Sequence, residues 1–181
     1  MSNRPALFLD RDGVINVDHG HIYRRDDFEF IDGIFELVAC ATKAGYIVLI
    51  ITNQAGIGRG YYTEEDFYLL MDWVRAMFLA KHGLISGVYF CPFHPQHGIG
   101  KYRKVSFDRK PGPGMLCKAI QDFELDRSRS VLIGDKPSDI QAGQSAGIAT
   151  LLYIGLEPCG VPSIPISCLQ DAMPYLDASC S

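Results

Sequence analysis

Along the chain, short unbroken apolar runs alternate with longer stretches in which apolar residues return every third or fourth position. The first kind reads as strands buried on both faces, the second as helices with one face on a core. Ala6-Leu7-Phe8-Leu9 is the first run and Tyr46-Ile47-Val48-Leu49-Ile50-Ile51 the second. Val88-Tyr89-Phe90, Ser130-Val131-Leu132-Ile133-Gly134 and Thr150-Leu151-Leu152-Tyr153-Ile154 follow. Between them, Ile34, Leu37, Val38 and Ala41 mark a helix that Gly45 closes. Phe67, Leu70, Met71, Val74, Met77 and Phe78 mark another, opened by Thr63 and Asp66 at near capping-box spacing and ended by Gly83. Met115, Leu116, Ala119, Ile120 and Phe123 mark a third, and a fourth runs from Ser138 towards Gly147. The Pro-rich tail from Gly155 predicts a short strand near Ile166 and a helix around Leu169 to Met173. This alternation predicts an α/β fold, a Rossmann-like parallel sheet with helices on both faces.

The polar residues that interrupt the pattern collect where strands end, and in such a sheet the carboxyl ends of the strands face the ligand crevice. The first run stops at Asp10, with Asp12 and Gly13 close behind; the second stops at Thr52-Asn53-Gln54; the fourth stops at Asp135-Lys136. Arg109-Lys110 leads into the third helix through Pro111-Gly112-Pro113-Gly114, which fixes the path of the chain. Two acids at one strand end repel each other, and a divalent cation offsets that most simply. With Mg²⁺ held by Asp10, Asp135 and one oxygen of residue 12, the inventory predicts attack on a phosphate monoester by Asp10. Asp12 then serves as general acid and base, Lys110 neutralises a phosphoryl oxygen, and Thr52 with Asn53 orients the group. Ala55-Gly56-Ile57-Gly58-Arg59-Gly60-Tyr61 is glycine-rich and reads as a place of close backbone approach to a ligand, though not as a P-loop. The loop Val17 to Tyr23 leaves the strand that bears the acids and is expected over the crevice.

Length and charge narrow the setting. The chain has 181 residues, 48% apolar and 21% charged. That suits one domain spanning residues 1–181. A net charge of −4 argues against a nucleic-acid partner. No apolar run reaches membrane-spanning length and no cleavable leader is visible, so no membrane is expected. Cysteines 40, 91, 117, 159, 168 and 180 show no paired spacing, and the chain reads as cytoplasmic with reduced thiols and Cys40 an ordinary core residue. A monomer acting on a small molecule is expected.

Asp-x-Asp-Gly, a strand ending in Thr-Asn, a mid-chain lysine and a late Gly-Asp occur here in the order of the four motifs of the haloacid dehalogenase superfamily, which the chain resembles. Within it, the chain is most similar to the D-glycero-D-manno-heptose 1,7-bisphosphate 7-phosphatases. The likeness rests on Phe8 to Gly13, Asn16 to Gly20, Phe28 to Gly33, Thr52-Asn53-Gln54, Arg59-Gly60, Cys91-Pro92, His94-Pro95-Gln96, Arg109-Lys110-Pro111 and Gly134-Asp135-Lys136. The resemblance implies a small-molecule sugar phosphate as substrate, no separate cap domain, an aspartyl-phosphate intermediate and a product used for bacterial surface heptose. It implies Asp10, Asp12, Thr52 and Lys110 as catalytic residues and Asp10, Asp12 and Asp135 at the Mg²⁺. It implies substrate contacts from Asp18, His19, Gly20, His21, Thr52, Asn53, Gln54, Ala55, Arg59, Arg109, Lys110 and Lys136. Members also hold a structural zinc through Cys-x-His and Cys-x-Cys stretches. Here these read Cys91-Pro92-Phe93 and Ser106-Phe107-Asp108, so only Cys91 of the usual four ligands remains. Zinc is therefore not expected, and Phe93 and Phe107 are expected to pack the loop in its place. Histidinol-phosphate phosphatase shares the motifs and is the nearest alternative, followed by a polynucleotide 3′-phosphatase and a non-catalytic protein on the same fold.

Overall fold

The computed structural model describes residues 4–176. Met1 to Asn3 and residues 177–181, Cys180 among them, lie outside the described residues. In chain order the elements are β1 (Ala6–Leu9), α1 (Ile34–Lys43), β2 (Ile47–Asn53), α2 (Ala55–Gly58), α3 (Glu64–Ala80) and β3 (Ile85–Cys91). Then come α4 (Gly114–Asp122), β4 (Val131–Gly134), α5 (Pro137–Ala146), β5 (Thr150–Tyr153) and β6 (Ile164–Pro165), before a 3-10 turn at Leu169–Tyr175. The strands form one sheet in the order β3-β2-β1-β4-β5-β6, every pair parallel. β1 is central, with Leu7 opposite Val48 on one side and Val131 on the other. Chain direction across the sheet reverses at β1, so the crevice lies outside the carboxyl ends of β1, β2 and β4.

Side-chain alternation explains why helices cover both faces. Leu7, Leu9, Val48, Ile50, Val131 and Ile133 point to the face packed by α1 and α3. Ala6, Phe8, Leu49, Ile51 and Leu132 point to the face packed by α4 and α5. All these positions are buried, so the strands read as continuous apolar runs. Truncating one of them, such as Leu7, is expected to cost about 2–5 kcal/mol. Thr63 and Asp66 form a true capping box at the start of α3. No helix among the described residues is long and apolar enough to cross a membrane, and no separate cap domain stands over the sheet among them.

Four local expectations are corrected. β3 is longer than its apolar run because Ile85, Gly87 and Cys91 also pair with β2, the register shifting at Ser86. The glycine-rich stretch after β2 is not open backbone but the one-turn helix α2, whose glycines allow packing: a Cβ on Gly56 would strike the Tyr62 ring, and one on Gly58 the Pro92 carbonyl. Phe107 is 68% exposed and touches the chain along one edge at Gly114, whereas Phe93 is partly buried and packs under the Lys104 ammonium at 3.9 Å. Cys40 is disulfide-bonded, not a free core thiol.

Candidate active site

The backbone after β1 turns on itself. The Arg11 carbonyl accepts from Ile15 N and Asn16 N at 2.8 and 3.1 Å, and Gly13, at φ +93°, lies against the Asp135 carboxylate with no room for a side chain. Asp10 N continues the sheet by donating to the Ile133 carbonyl at 3.1 Å. These bonds bring the ends of β1 and β4 together, and with them Asp10 and Asp135.

Lys110 reaches this point from the loop before α4. Its ammonium donates to Asp10 Oδ1 at 2.7 Å and the Ile51 carbonyl at 2.9 Å, and lies 2.6 Å from Asp139 Oδ1, which uses all three of its protons. Burial alone would lower its pKa, but the Asp10 and Asp139 carboxylates hold it above its ordinary value. Asn53 fixes the lysine by its backbone: its Nδ2 donates to the Lys110 carbonyl and its Oδ1 accepts from Lys110 N, at 3.1 and 3.0 Å. The amide expected to orient a substrate thus also clamps the chain that carries the cation.

One ammonium does not balance the carboxylates around it. Ligand oxygens of Asp10, Asp135 and Asp139 lie within 4.8 Å of one another. Burial holds Asp10 well above the usual carboxylate range, with Lys110 opposing and Asp139 and Asp135 adding to the rise. Burial likewise pushes Asp135 up to about 6, partly offset by Lys136. Asp135 Oδ1 is buried without a hydrogen-bond partner, whereas the oxygens of Asp139 are taken by Lys110 and by Lys136 N at 2.9 Å. A divalent cation fits this set, with Asp10 and Asp135 as the carboxylates free to bind it.

Asp12 is held differently. Its Oδ1 accepts from Arg11 Nε and Nη2 at 3.1 and 2.6 Å and from Asn16 Nδ2 at 3.1 Å. Among the described residues its Oδ2 accepts from Gln54 Nε2 alone, at 3.1 Å. That leaves Oδ2 as the atom able to carry a proton, and leaves a cation only the backbone oxygen of residue 12. Thr52 Oγ1 accepts from Gln54 Nε2 at 2.8 Å, which keeps the threonine's own proton for another acceptor.

Beside these residues lies a cavity of about 580 Å³. Asp12, Asp18, Gly20, His21, Asn53, Gln54, Ala55, Arg59, Arg109, Lys110 and Lys136 all line it. Asp10, Thr52 and Asp135 are not among its walls, and His19 faces outward, 3.2 Å from Glu29. Lys136 Nζ bonds Asp18 Oδ2 at 3.0 Å and ties the loop after β1 to the turn after β4. Although burial opposes it, the Lys136 contact keeps Asp18 below its usual value. Arg59 and Arg109 share one wall, and burial, with the charge of Arg59, lowers the Arg109 pKa. Arg59 Nε is buried without a partner, and among the described residues neither arginine is paired with a carboxylate. His94 completes the wall. Its Nδ1 accepts from Gln96 N and His97 N at 3.2 and 3.0 Å, so the ring proton sits on Nε2.

Asp139, Tyr62, Asn16 and the buried Arg11 also shape the site and were not among the residues expected there from the sequence. Asp139 stands three residues after Lys136, the spacing of a capping pair, which signals its backbone bond but not its bond to Lys110. Arg11 and Asn16 lie within the matching stretches Phe8 to Gly13 and Asn16 to Gly20, whereas nothing local marks Tyr62.

Comparison with known proteins agrees with this geometry. A HAD-hydrolase-like family model matches residues 107–155. The D-glycero-alpha-D-manno-heptose-1,7-bisphosphate 7-phosphatase of Burkholderia mallei is 56% identical over 154 residues, covering 85% of this chain and 81% of that protein. The D-glycero-beta-D-manno-heptose-1,7-bisphosphate 7-phosphatase of Vibrio cholerae is 44% identical over 151 residues, covering 83% and 81%. The crystal structure of D,D-heptose 1,7-bisphosphate phosphatase from B. bronchiseptica, complexed with magnesium and phosphate, superposes with a TM-score of 0.82 at 25% identity, covering 95% of this chain and 97% of that one. With the fold, the carboxylate site and these relatives in agreement, the chain belongs to the D-glycero-D-manno-heptose-1,7-bisphosphate 7-phosphatase family of HAD-like hydrolases.

Proposed function

We propose that this enzyme removes the 7-phosphate from D-glycero-D-manno-heptose 1,7-bisphosphate. The observation that carries the reading is the wall formed by Arg59 and Arg109, two guanidinium groups without carboxylate partners in the cavity beside Asp10 and Asp12. A substrate with one phosphate at Asp10 and a second, non-reacting phosphate satisfies both ends of the cavity. Histidinol phosphate would bring a cationic amine towards those arginines and leave them uncompensated. The α anomer, for which the 56% identical relative is named, is the expected preference.

In this reading Asp10 attacks phosphorus in line, forming an acyl phosphate as the ester P–O bond breaks. Asp12 Oδ2 gives its proton to the departing sugar oxygen. In the second half, Asp12 takes a proton from water as that water attacks the phosphorus and frees Asp10. Thr52 donates its hydroxyl proton to a phosphoryl oxygen, and Lys110 keeps Asp10 in place and charged. Mg²⁺, held by Asp10, Asp135 and the backbone oxygen of residue 12, would supply positive charge against the phosphoryl oxygens. We also read the loop Cys91 to Asp108 as metal-free. The Lys104–Phe93 contact and the bond from Arg109 Nη1 to the Phe93 carbonyl at 3.2 Å support it instead.

The test is Mg²⁺-dependent phosphate release from both anomers of the bisphosphate, histidinol phosphate and a 3′-phosphorylated oligonucleotide. A preference of about 100-fold in kcat/KM for one heptose anomer is expected, roughly 2.7 kcal/mol of discrimination. Equal rates across the panel would discard the substrate.

A further inference from the structure

A hydrogen-bonded chain leads from a buried phenol to the residue assigned as general acid. Tyr62 is buried, and its hydroxyl donates to Gln54 Oε1 at 2.5 Å. That bond decides which way the Gln54 amide faces. With Oε1 held by the phenol, Nε2 turns inward and spends one proton on Asp12 Oδ2 and the other on Thr52 Oγ1. A flipped amide would set its carbonyl oxygen against Asp12 Oδ2, lone pair to lone pair. The phenol itself is seated firmly: Tyr23 stacks on it with ring centroids 5.0 Å apart, and the missing side chain of Gly56 makes room for its edge.

We infer that Tyr62 is a positioning residue for proton transfer, acting through Gln54 to hold Asp12 Oδ2 towards the departing oxygen. The inference rests on the proposed role of Asp12. It assigns no proton to Tyr62 in the reaction. The phenol stays protonated, while the proton lost by Asp12 Oδ2 ends on the sugar hydroxyl as the P–O bond breaks. Gln54, expected as a substrate contact, has no amide proton left for a substrate.

The discriminating experiment compares leaving groups. Phosphoryl transfer is measured in single turnover for the wild type and Tyr62→Phe, with heptose 1,7-bisphosphate and with p-nitrophenyl phosphate. The sugar leaves as a basic alkoxide and needs Asp12's proton, whereas nitrophenolate departs without one. General acid catalysis is worth about 10²–10⁴-fold, and misplacing the acid is expected to slow the sugar reaction about tenfold. The nitrophenyl reaction is expected to change less than about twofold, with KM for both substrates held. Equal slowing of both, or a raised KM at unchanged kcat, overturns the inference. A second readout is the double-mutant cycle with Gln54→Leu. If Tyr62 acts through Gln54, Tyr62→Phe adds nothing once Gln54 is gone; multiplicative effects overturn the idea. Should Tyr62→Phe melt early, Gln54→Leu alone must show the same leaving-group dependence, and its absence is equally decisive. A wild type inert towards the bisphosphate would instead refute the substrate, and the comparison then runs with another alkyl phosphate.

Discussion

Lys110 Nζ lies 2.7 Å from Asp10 Oδ1, across 100 residues of chain, with both side chains buried. The ammonium bonds two of three clustered carboxylates, Asp10 and Asp139, while the Lys136 ammonium stands 4.0 Å from the third, Asp135. Removing it by Lys110→Met is expected to abolish turnover and to destabilise the metal-free protein by about 3–5 kcal/mol, since buried acids lose their partner. Urea unfolding in EDTA, beside a phosphate-release assay, measures both. Asp10→Asn is expected to abolish turnover while the protein still folds, and retained activity would show another nucleophile.

Mg²⁺ is expected to raise the melting temperature, because a cation that binds only the folded site stabilises it. At a free concentration of about 100 times Kd the gain is about 2.7 kcal/mol. Asp135→Asn removes a ligand whose Oδ1 has no other partner, so the Mg²⁺ response is expected to vanish without loss of stability in EDTA. Thermal melts with and without Mg²⁺ decide.

Arg59 and Arg109 are expected to separate bisphosphate from monophosphate substrates. Arg109→Ala loses a charge-assisted contact worth about 1.5–3 kcal/mol, which raises KM for the bisphosphate about 10- to 100-fold. KM for p-nitrophenyl phosphate, which carries no second phosphate, is expected to stay within about twofold. Steady-state kinetics on the two substrates tests this.

His94 is expected to titrate below an ordinary histidine, because burial and the charges of Arg109, His97 and Arg59 all oppose its protonation. A depressed histidine takes up protons more readily when unfolded, so its contribution to stability is lost as pH falls through the unfolded pKa towards the folded one. Arg59→Ala is expected to raise the His94 pKa, read from its ring protons in an NMR titration. An unchanged value would place Arg59 too far away to act.

The parts of this molecule legible in the sequence were those with a local cause. Apolar runs gave the strands around β1 because parallel strands bury both faces. Asp10, Thr52 and Asp135 were legible because they sit where such runs stop. The capping pair Thr63 and Asp66 signalled α3 in the same way. What stayed hidden depends on which segments meet. Tyr62 follows the glycine-rich stretch with no local signal of a role, and only the fold brings its hydroxyl to Gln54. The glycines of α2 suggested ligand approach because the sequence does not show that Tyr62 and Pro92 lie against them. Phe107 looked apolar enough to pack, but it stays largely exposed, while Phe93, two residues after Cys91, is partly buried.

The placement of β1 also orders events during synthesis. β1 emerges first, yet its register partner on one side is β4, and Ala6 N is satisfied by Ser130 Oγ across 124 residues. Until that segment leaves the ribosome, one edge of the central strand stands unpaired, and Asp10 faces neither Asp135 nor Asp139. Parallel pairing between such distant segments forms late and slowly. A nascent or prematurely ended chain is therefore inert, and hydrolysis itself reports that the polypeptide has closed.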